Sequence, residues 1–484
     1  MKNWLQEQAE SRGEAPAVAA GERVMSYAEL ASYAARGARF FAARGVEPGD
    51  SVALCGENRL AWIVAAHAAW WRGAAVVGLH HRGTSGELAA QIEVVAPKVV
   101  VGDEAAGGVG WARFEEALTQ GGESPAPVAW SEASRLTILF TSGTTGRPRA
   151  VPLTVGNHDA SARASGARLE LTGRERWLCC LPLCHIGGLA IVLRAARGGG
   201  CVELMERFDA QKVLELLATR PVEGASFVPT MVVRMLGRCD GEVENSLKVA
   251  LVGGGAMTAA MLRRARRAGL PVVPTYGMTE AASQIATLGL QAPSEFLGTA
   301  GRPLAGIELE IRDDQGYPVA PSAVGEIYLR GPMITAGYLG ESSRDSGAWF
   351  GTGDFGSIDE SGRLVVDHRR GARIVSGGEN VDPAEVEVTL VAHPGVEDAA
   401  VVGVDDPRWG QVVAAAVVIG ADGVGIEDLE AFCRSQLAPF KIPRRWVQVE
   451  EIPRTTSEKI KRDEVREIIA RAQALADREV VVSP

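Results

Sequence analysis

GASFVP at 224–229, MVVRMLGRC at 231–239, KVALVGGG at 248–255, AAMLRRARRAG at 259–269 and PVVPTYG at 271–277 follow one another with short connections. Short apolar runs rich in Val alternate with segments whose apolar residues recur at helical spacing, so the block predicts strand, helix, strand, helix, strand. Such alternation gives a parallel sheet with helices packed on its faces. A helix over Ala210 to Thr219 leads into the block, and the pattern also occurs near the start of the chain. There a helical YAELASYAARGARFFAARG from Tyr27 is followed by the apolar runs SVALC, AAVVGL and KVVVG, ending at Val101. After about Gly298 the texture changes to strand-like segments between Gly and Pro turns (IELEIRDDQG, GEIYLRGP, GRLVVDHRRG), which predicts a small β subdomain. From Ala384 mixed helix and strand return (AEVEVTLVAH, AAVVGV, VVAAAVVIG, IEDLEAFCRSQL), enough for a separate α+β unit.

Composition narrows the function classes. Hydrophobic residues at 46% and charged residues at 23% are ordinary for a globular protein, and 484 residues are too many for one compact core. A formal net charge of -10 argues against nucleic acid or an anionic membrane as the main partner, so any anion sites must be local. The seven cysteines (55, 179, 180, 184, 201, 239 and 433) are an odd number with no C-x-x-C pair. They indicate neither a disulfide framework nor a zinc knuckle and fit a reducing cytoplasm. The N-terminus MKNWLQEQAESRGEAP lacks a signal-peptide core. The apolar stretch from Trp62 to Trp71 is interrupted by His67 and is about half the ~20 residues a bilayer span needs. A soluble, cytoplasmic protein is expected.

The strongest local signal for chemistry is ILFTSGTTGRPRAV, Ile138 to Val151. An apolar strand runs into Thr141, Ser142, Gly143, Thr144, Thr145 and Gly146, followed by Arg147 and Arg149. Small residues let backbone N–H groups approach a polyphosphate, hydroxyls add donors, and the guanidiniums supply charge. No G-K-[ST] occurs anywhere, so this phosphate cradle is not a Walker A loop. Gly253, Gly254, Gly255 and Ala256 end an apolar strand, where backbone without side chains can lie against an adenine ring. In YGMTE, from Tyr276 through Gly277 and Met278, Tyr276 can stack on a base, Thr279 can bond phosphate, and Glu280 can hold the Mg²⁺ of ATP.

These segments, with LPLCHIGGL from Leu181, the TGD at Thr352, SGGENVDPAEVE from Ser376 and PRTTSEKIKR from Pro453, resemble in order the motifs of the adenylate-forming superfamily. That superfamily includes acyl-CoA synthetases, luciferases and nonribosomal-peptide adenylation domains, and the resemblance runs from about residue 25 to 465. It implies an α/β fold with a large N-terminal domain of doubly wound sheets plus a small β subdomain over 1–370. A small mobile α+β C-terminal domain over 371–484 would carry the catalytic Lys. It further implies ATP, Mg²⁺ and coenzyme A as cofactor and co-substrates, Thr145 in the phosphate loop, and Glu280 with Thr141 at the metal. Asp354, in a Gly-flanked turn, and Arg370 would bind ribose; His185, at the end of a strand, would orient the acyl carboxylate, and Gly187 and Gly188 would leave room for the acyl chain. Lys459 would bring charge to the α-phosphate, and Ser376, Gly377, Gly378 and Glu379 would line the thiol tunnel after the C-terminal domain rotates. Departures from the pattern are Ala372 at the hinge, Arg149 for Lys, Ala150 for Gly and Glu458 for Gly.

Arg194, nine residues after His185, bears on the choice of acid. Helical periodicity surrounds it with Leu189, Ile191 and Ala195, so its charge needs a partner, either a protein carboxylate or a second carboxylate on the substrate. The chain is similar to the o-succinylbenzoate–CoA ligases of menaquinone biosynthesis in this respect. It also shares their GNH (Gly156 to His158), an FHISGL-like LCHIGGL, ERFD (Glu206 to Asp209) and TEAASQ, with Ser283 beside Gln284. A general medium-chain or aryl acyl-CoA synthetase would not need Arg194, and a stand-alone adenylation domain loading a carrier protein would carry an acidic residue at the start of the pocket. A non-enzymatic descendant is disfavoured because Thr145, Glu280, Asp354, Arg370 and Lys459 are all present. Small molecules are the expected partners, and a homo-oligomer is compatible with the sequence.

Overall fold

The computed structural model describes residues 1–102, 107–142, 148–239, 241–255, 259–345, 347–369, 374–376, 379–406, 409–420, 423–454 and 460–480. Among these, the strands fall into four sheets. The largest has nine strands in the order Arg302–Pro303, Ser283–Thr287, Val272–Met278, Val249–Val252, Gly224–Phe227, Arg176–Cys179, Cys201–Leu204, Pro16–Ala20 and Arg23–Ser26. Its six central strands run parallel, joined through helices as the alternation in sequence predicts, and both edges are antiparallel. A second sheet orders Val99–Gly102, Ser51–Cys55, Ala75–Leu79, Arg135–Ser142 and Pro148–Thr154, with only the last strand antiparallel.

One continuous apolar core joins residues of both sheets. At its centre lies the helix Leu60–Trp71, in which every residue except Leu60 is buried. A helix that is apolar all round must be covered on every side, which explains a stretch too short to cross a bilayer. Two of its indoles are satisfied by backbone, Trp70 Nε1 donating to the Leu136 carbonyl and Trp71 Nε1 to the Pro125 carbonyl, both at 2.8 Å. No helix among the described residues is long and apolar enough to cross a membrane.

The strands Glu308–Arg312, Gly325–Arg330, Phe350–Ile358 and Leu364–Arg369 form the antiparallel third sheet. Ile311, Ile327, Leu329 and Leu364 pack with Ile285 and Ala286 of the nine-stranded sheet, which fixes the small sheet beside the carboxyl ends of the parallel strands. The C-terminal sheet is built on the hairpin Val396–Asp406 with Gly410–Ile419. Its alternation separates two cores: Ala399, Val401, Val413 and Ala415 face the helices Pro383–Val391 and Ile426–Gln436, while Ala400, Val402, Ala414 and Ala416 face Arg462–Val480. The 370/371 boundary expected from sequence falls outside the described residues.

Candidate active site

The strands Arg135–Ser142 and Pro148–Thr154 pair as an antiparallel hairpin in which Thr141 lies opposite Arg149. The described ends of the phosphate motif thus lie on paired antiparallel strands at the sheet edge; Gly143, Thr144, Thr145, Gly146 and Arg147 themselves lie outside the described residues. A distant segment backs this hairpin. Leu339 N–H donates to the Ala150 carbonyl at 2.9 Å, the Arg149 guanidinium lies 3.4 Å over the Tyr338 ring, and Arg149 Nη2 donates to both Glu341 carboxylate oxygens at 3.0 Å. Arg149 and Glu341 are both exposed enough that their pairing is worth no more than about 1 kcal/mol, so a polyphosphate can capture the guanidinium.

Glu280 follows the strand Val272–Met278 in a one-turn 3₁₀ helix, and it is buried. Its backbone carbonyl accepts from Thr335 N–H at 2.8 Å, and its Oε1 accepts from the Tyr338 hydroxyl at 2.9 Å. No cation pairs with this carboxylate among the described residues. A buried carboxylate with one neutral donor fits a hard divalent cation, which needs anionic oxygen ligands and tolerates retained water. Burial and the neighbouring Glu280 carboxylate both raise the Tyr338 pKa, so its phenol stays a proton donor at neutral pH. Tyr338→Phe keeps the ring under Arg149 and removes only the bond that orients Glu280. The Mg²⁺ concentration for half-maximal pyrophosphate release should rise roughly 2- to 10-fold, the span of about 0.5–1.5 kcal/mol for one hydrogen bond. A Mg²⁺ curve identical to that of the parent protein would contradict the orienting role.

Tyr276 and Asp354 come together across 78 residues of sequence, the phenol donating to Asp354 Oδ2 at 2.7 Å. Asp354, expected in a Gly-flanked turn, sits instead within the strand Phe350–Ile358, beside a register shift at Phe355. Gly253 to Gly255 follow the strand Val249–Val252 at the same edge of the sheet as Tyr276, because the two strands are parallel neighbours. Ala256 lies outside the described residues, as do Arg370, Ala372, Gly377, Gly378, Glu458 and Lys459. Ser376 and Glu379 are partners in an antiparallel ladder, the first buried and the second exposed.

The acyl side of the site is built on the helix Ile186–Gly198. His185, expected at a strand end, is instead the N-cap residue of this helix. The strand ends at Cys179, and Pro182 lies in the turn between them. Gly188 has a packing role as well. A Cβ there would meet the Pro182 carbonyl oxygen at 2.4 Å and that of Leu181 at 2.7 Å, so packing against backbone requires the glycine. At Gly187 a Cβ would meet only the tip of Leu181, at 3.2 Å.

Leu189, Ile191 and Ala195 are buried around Arg194, and Nη2 of Arg194 donates to Ser283 Oγ at 3.3 Å. No carboxylate pairs with Arg194 among the described residues. Desolvation lowers its pKa only to about 10, so it stays cationic at neutral pH. His158, the histidine of the GNH motif, is buried with Nε2 2.9 Å from Thr137 Oγ1; burial first and Arg194 second hold its pKa at about 3. It is a neutral structural residue. Asn157 is structural too, closing the capping box of the helix Val155–Arg168 and donating to the Pro332 carbonyl at 2.8 Å.

Ser283 reaches Arg194 through unusual backbone. Ala282 and Ser283 have φ of 50° and 110°, both in the region L-residues avoid. The strand can fold back there because position 277 is glycine: a Cβ at Gly277 would lie 1.9 Å from the Ser283 carbonyl oxygen. Gln284 anchors the turn from inside, accepting from Ser165 Oγ at 2.5 Å and donating to Thr287 Oγ1 at 2.9 Å. Tyr338, Glu341, Thr335 and His80 are not legible from sequence as site residues; GYLG lies 58 residues from Glu280, and no local periodicity links the two.

A phosphate hairpin, a buried carboxylate fit for a metal and a Tyr–Asp pair at the carboxyl ends of parallel strands define a nucleotide-using α/β enzyme. The chain belongs to the AMP-binding enzyme family, whose main domain matches residues 5–339 and whose C-terminal domain matches residues 385–459. It is 40% identical to 2-succinylbenzoate--CoA ligase of Geobacillus kaustophilus, over 98% of this chain and 99% of that one. It is 38% identical to the protein of the same name from Bacillus licheniformis, over 95% and 98%. Among solved structures it is similar to o-succinylbenzoate CoA synthetase of Bacillus subtilis in complex with its acyl-adenylate intermediate (TM-score 0.86, 34% identity, 96% of this chain and 98% of that one). The same enzyme in complex with ATP and magnesium gives a TM-score of 0.85 at 33% identity, over 96% and 99%.

Proposed function

We propose that the protein is an AMP-forming acid–CoA ligase that converts 2-succinylbenzoate to 2-succinylbenzoyl-CoA in menaquinone biosynthesis. The observation that carries this reading is Arg194: a cation on a largely buried helix, bonded to one neutral hydroxyl and offered no protein carboxylate among the described residues. A dicarboxylate substrate supplies the missing anion, with one carboxylate on Arg194 and Ser283 and the other, to be activated, toward His185. The helix separates the two residues by about 13 Å of rise, room for an acyl group between them.

In the first half-reaction the acyl carboxylate attacks the α-phosphorus of ATP and pyrophosphate leaves. In the second, the thiol of coenzyme A attacks the acyl carbonyl and AMP leaves. The phosphate hairpin, including Thr144, Thr145 and Arg149, holds the polyphosphate. Tyr276 and Gly253 to Gly255 hold the base, and Asp354 and Arg370 hold the ribose. Glu280 and Thr141 would hold Mg²⁺, which neutralises phosphate charge when bound. Lys459 brings a positive charge to the α-phosphate, where charge develops in the transition state. A rotation of the C-terminal domain, 371–484, then exchanges Lys459 for the Ser376 to Glu379 segment beside the thiol. The cytoplasm, where ATP and coenzyme A are at hand, is the compartment this reading requires. The test is pyrophosphate release over a panel of mono- and dicarboxylic acids with coenzyme A. 2-Succinylbenzoate should give the highest kcat/KM; a wild-type preference for monoacids would leave the ligase class and remove this substrate.

A further inference from the structure

Beside the acyl site, His80, Cys184 and His185 bring three metal-binding atoms within 4.8 Å of one another. The cluster is assembled by close backbone approach. A Cβ on Gly78 would lie 2.5 Å from the Cys184 carbonyl oxygen, so only glycine lets the strand Ala75–Leu79 press against the 183–185 turn and set His80 next to it. His80 and Cys184 are buried, and the imidazole of His80 stacks on that of His185 with centroids 5.3 Å apart and planes 27° apart. The His81 ring also stacks on that of His80, with centroids 4.9 Å apart, but its Nε2 lies 3.6 Å from Glu57 Oε1 and it is outside the cluster. Burial keeps His80 neutral, as a ligand must be, with a pKa of about 3. In LCHIGGL the cysteine immediately precedes His185.

We propose that His80, Cys184 and His185 form a three-ligand site for a borderline divalent cation of the zinc type, occupied in competition with the acyl substrate. Two imidazoles and a thiolate suit Zn²⁺ or Co²⁺ and reject Mg²⁺, so the site does not compete with Glu280 for the metal of ATP. Bond lengths of about 2.0–2.3 Å put tetrahedral ligand atoms roughly 3.3–3.8 Å apart, inside the 4.8 Å within which these now lie. Binding releases the thiol proton to solvent and leaves the fourth position to water. His80 Nδ1 accepts from Arg82 N–H at 3.1 Å, so coordination through Nε2 moves the ring proton to Nδ1 and gives up that contact. With His185 ligated, the acyl carboxylate loses the group that orients it. The inhibitory consequence rests on that role of His185, whereas the metal site itself does not.

Two measurements separate these levels. Co²⁺ added to the full-length protein should produce a thiolate-to-cobalt charge-transfer band and tetrahedral d–d absorption, both absent from Cys184→Ser; a wild-type spectrum without the thiolate band overturns the site. In pyrophosphate release at saturating Mg²⁺-ATP, Zn²⁺ should inhibit competitively with the acid. Cys184→Ser and His80→Phe, the latter keeping a ring in the stack, should each need at least tenfold more Zn²⁺ for the same inhibition. Thermal melts recorded alongside show that the variants are folded. Equal Zn²⁺ sensitivity in the wild type and both variants, or inhibition competitive with ATP, would place the ion elsewhere and overturn the proposal. A cobalt–thiolate spectrum without acid-competitive inhibition would leave the metal site standing and overturn only its effect on the acyl group.

Discussion

Arg194→Ala should lower kcat/KM for 2-succinylbenzoate by roughly 30- to 1000-fold or more, while activity on an analogue lacking the ring carboxylate barely changes. The magnitude follows from removing one end of a desolvated, charge-assisted pair, which costs about 2–5 kcal/mol because the other charge is left buried and unmet. The contrast between the two acids is the informative part. An arginine with only a packing role would, on truncation, depress both substrates together and lower the melting temperature. The structure argues for the selective outcome, because Arg194 carries no carboxylate partner among the described residues that its loss would strand. Both acids measured on one variant, with its melting temperature, decide between the cases; a uniform drop would remove the second-carboxylate reading.

Lys459→Ala should reduce ATP-dependent adenylate formation by roughly 10²–10³-fold, the usual effect of deleting one group aimed at developing charge. Thioester formation from supplied acyl-adenylate should persist, since thiol attack on a carbonyl does not call on that ammonium. Single-turnover pyrophosphate release and thioester appearance, measured separately, test the split. Equal loss in both would mean that Lys459 acts through folding of the C-terminal unit rather than through chemistry.

Local periodicity carries much of the architecture. The Val-rich runs at 224–229, 248–255 and 271–277 are parallel neighbours because strands buried on both faces must be apolar throughout and must be joined by crossover helices. The same logic places Arg194 among apolar neighbours, and the helix Ile186–Gly198 buries them. Periodicity fails where the chain changes direction. His185 reads from sequence as the end of a strand, yet Pro182 and the close contact of Gly188 with the 181–182 backbone turn the chain early and make it a helix cap. Asp354 reads as a turn residue because glycines flank it, yet ladder pairing with Arg369 of the following strand holds it in a strand. Turn residues report backbone freedom, and pairing partners far along the chain decide how it is used.

The sequence alone determined the reaction class, through the resemblance of its ordered motifs to those of the adenylate-forming superfamily, and residue type and spacing gave the phosphate loop and the acidic metal ligand. It also determined that a charge would be buried at position 194. What answers that charge was decided by tertiary structure. Ser283 lies 89 residues away and reaches Arg194 only because Gly277 lets a strand at positive φ fold back on itself. Likewise Tyr338 meets Glu280 across 58 residues and Glu341 meets Arg149 across 192. Periodicity has a reach of a few turns of helix or a few residues of strand, and these partners are set by which sheet edges pack together.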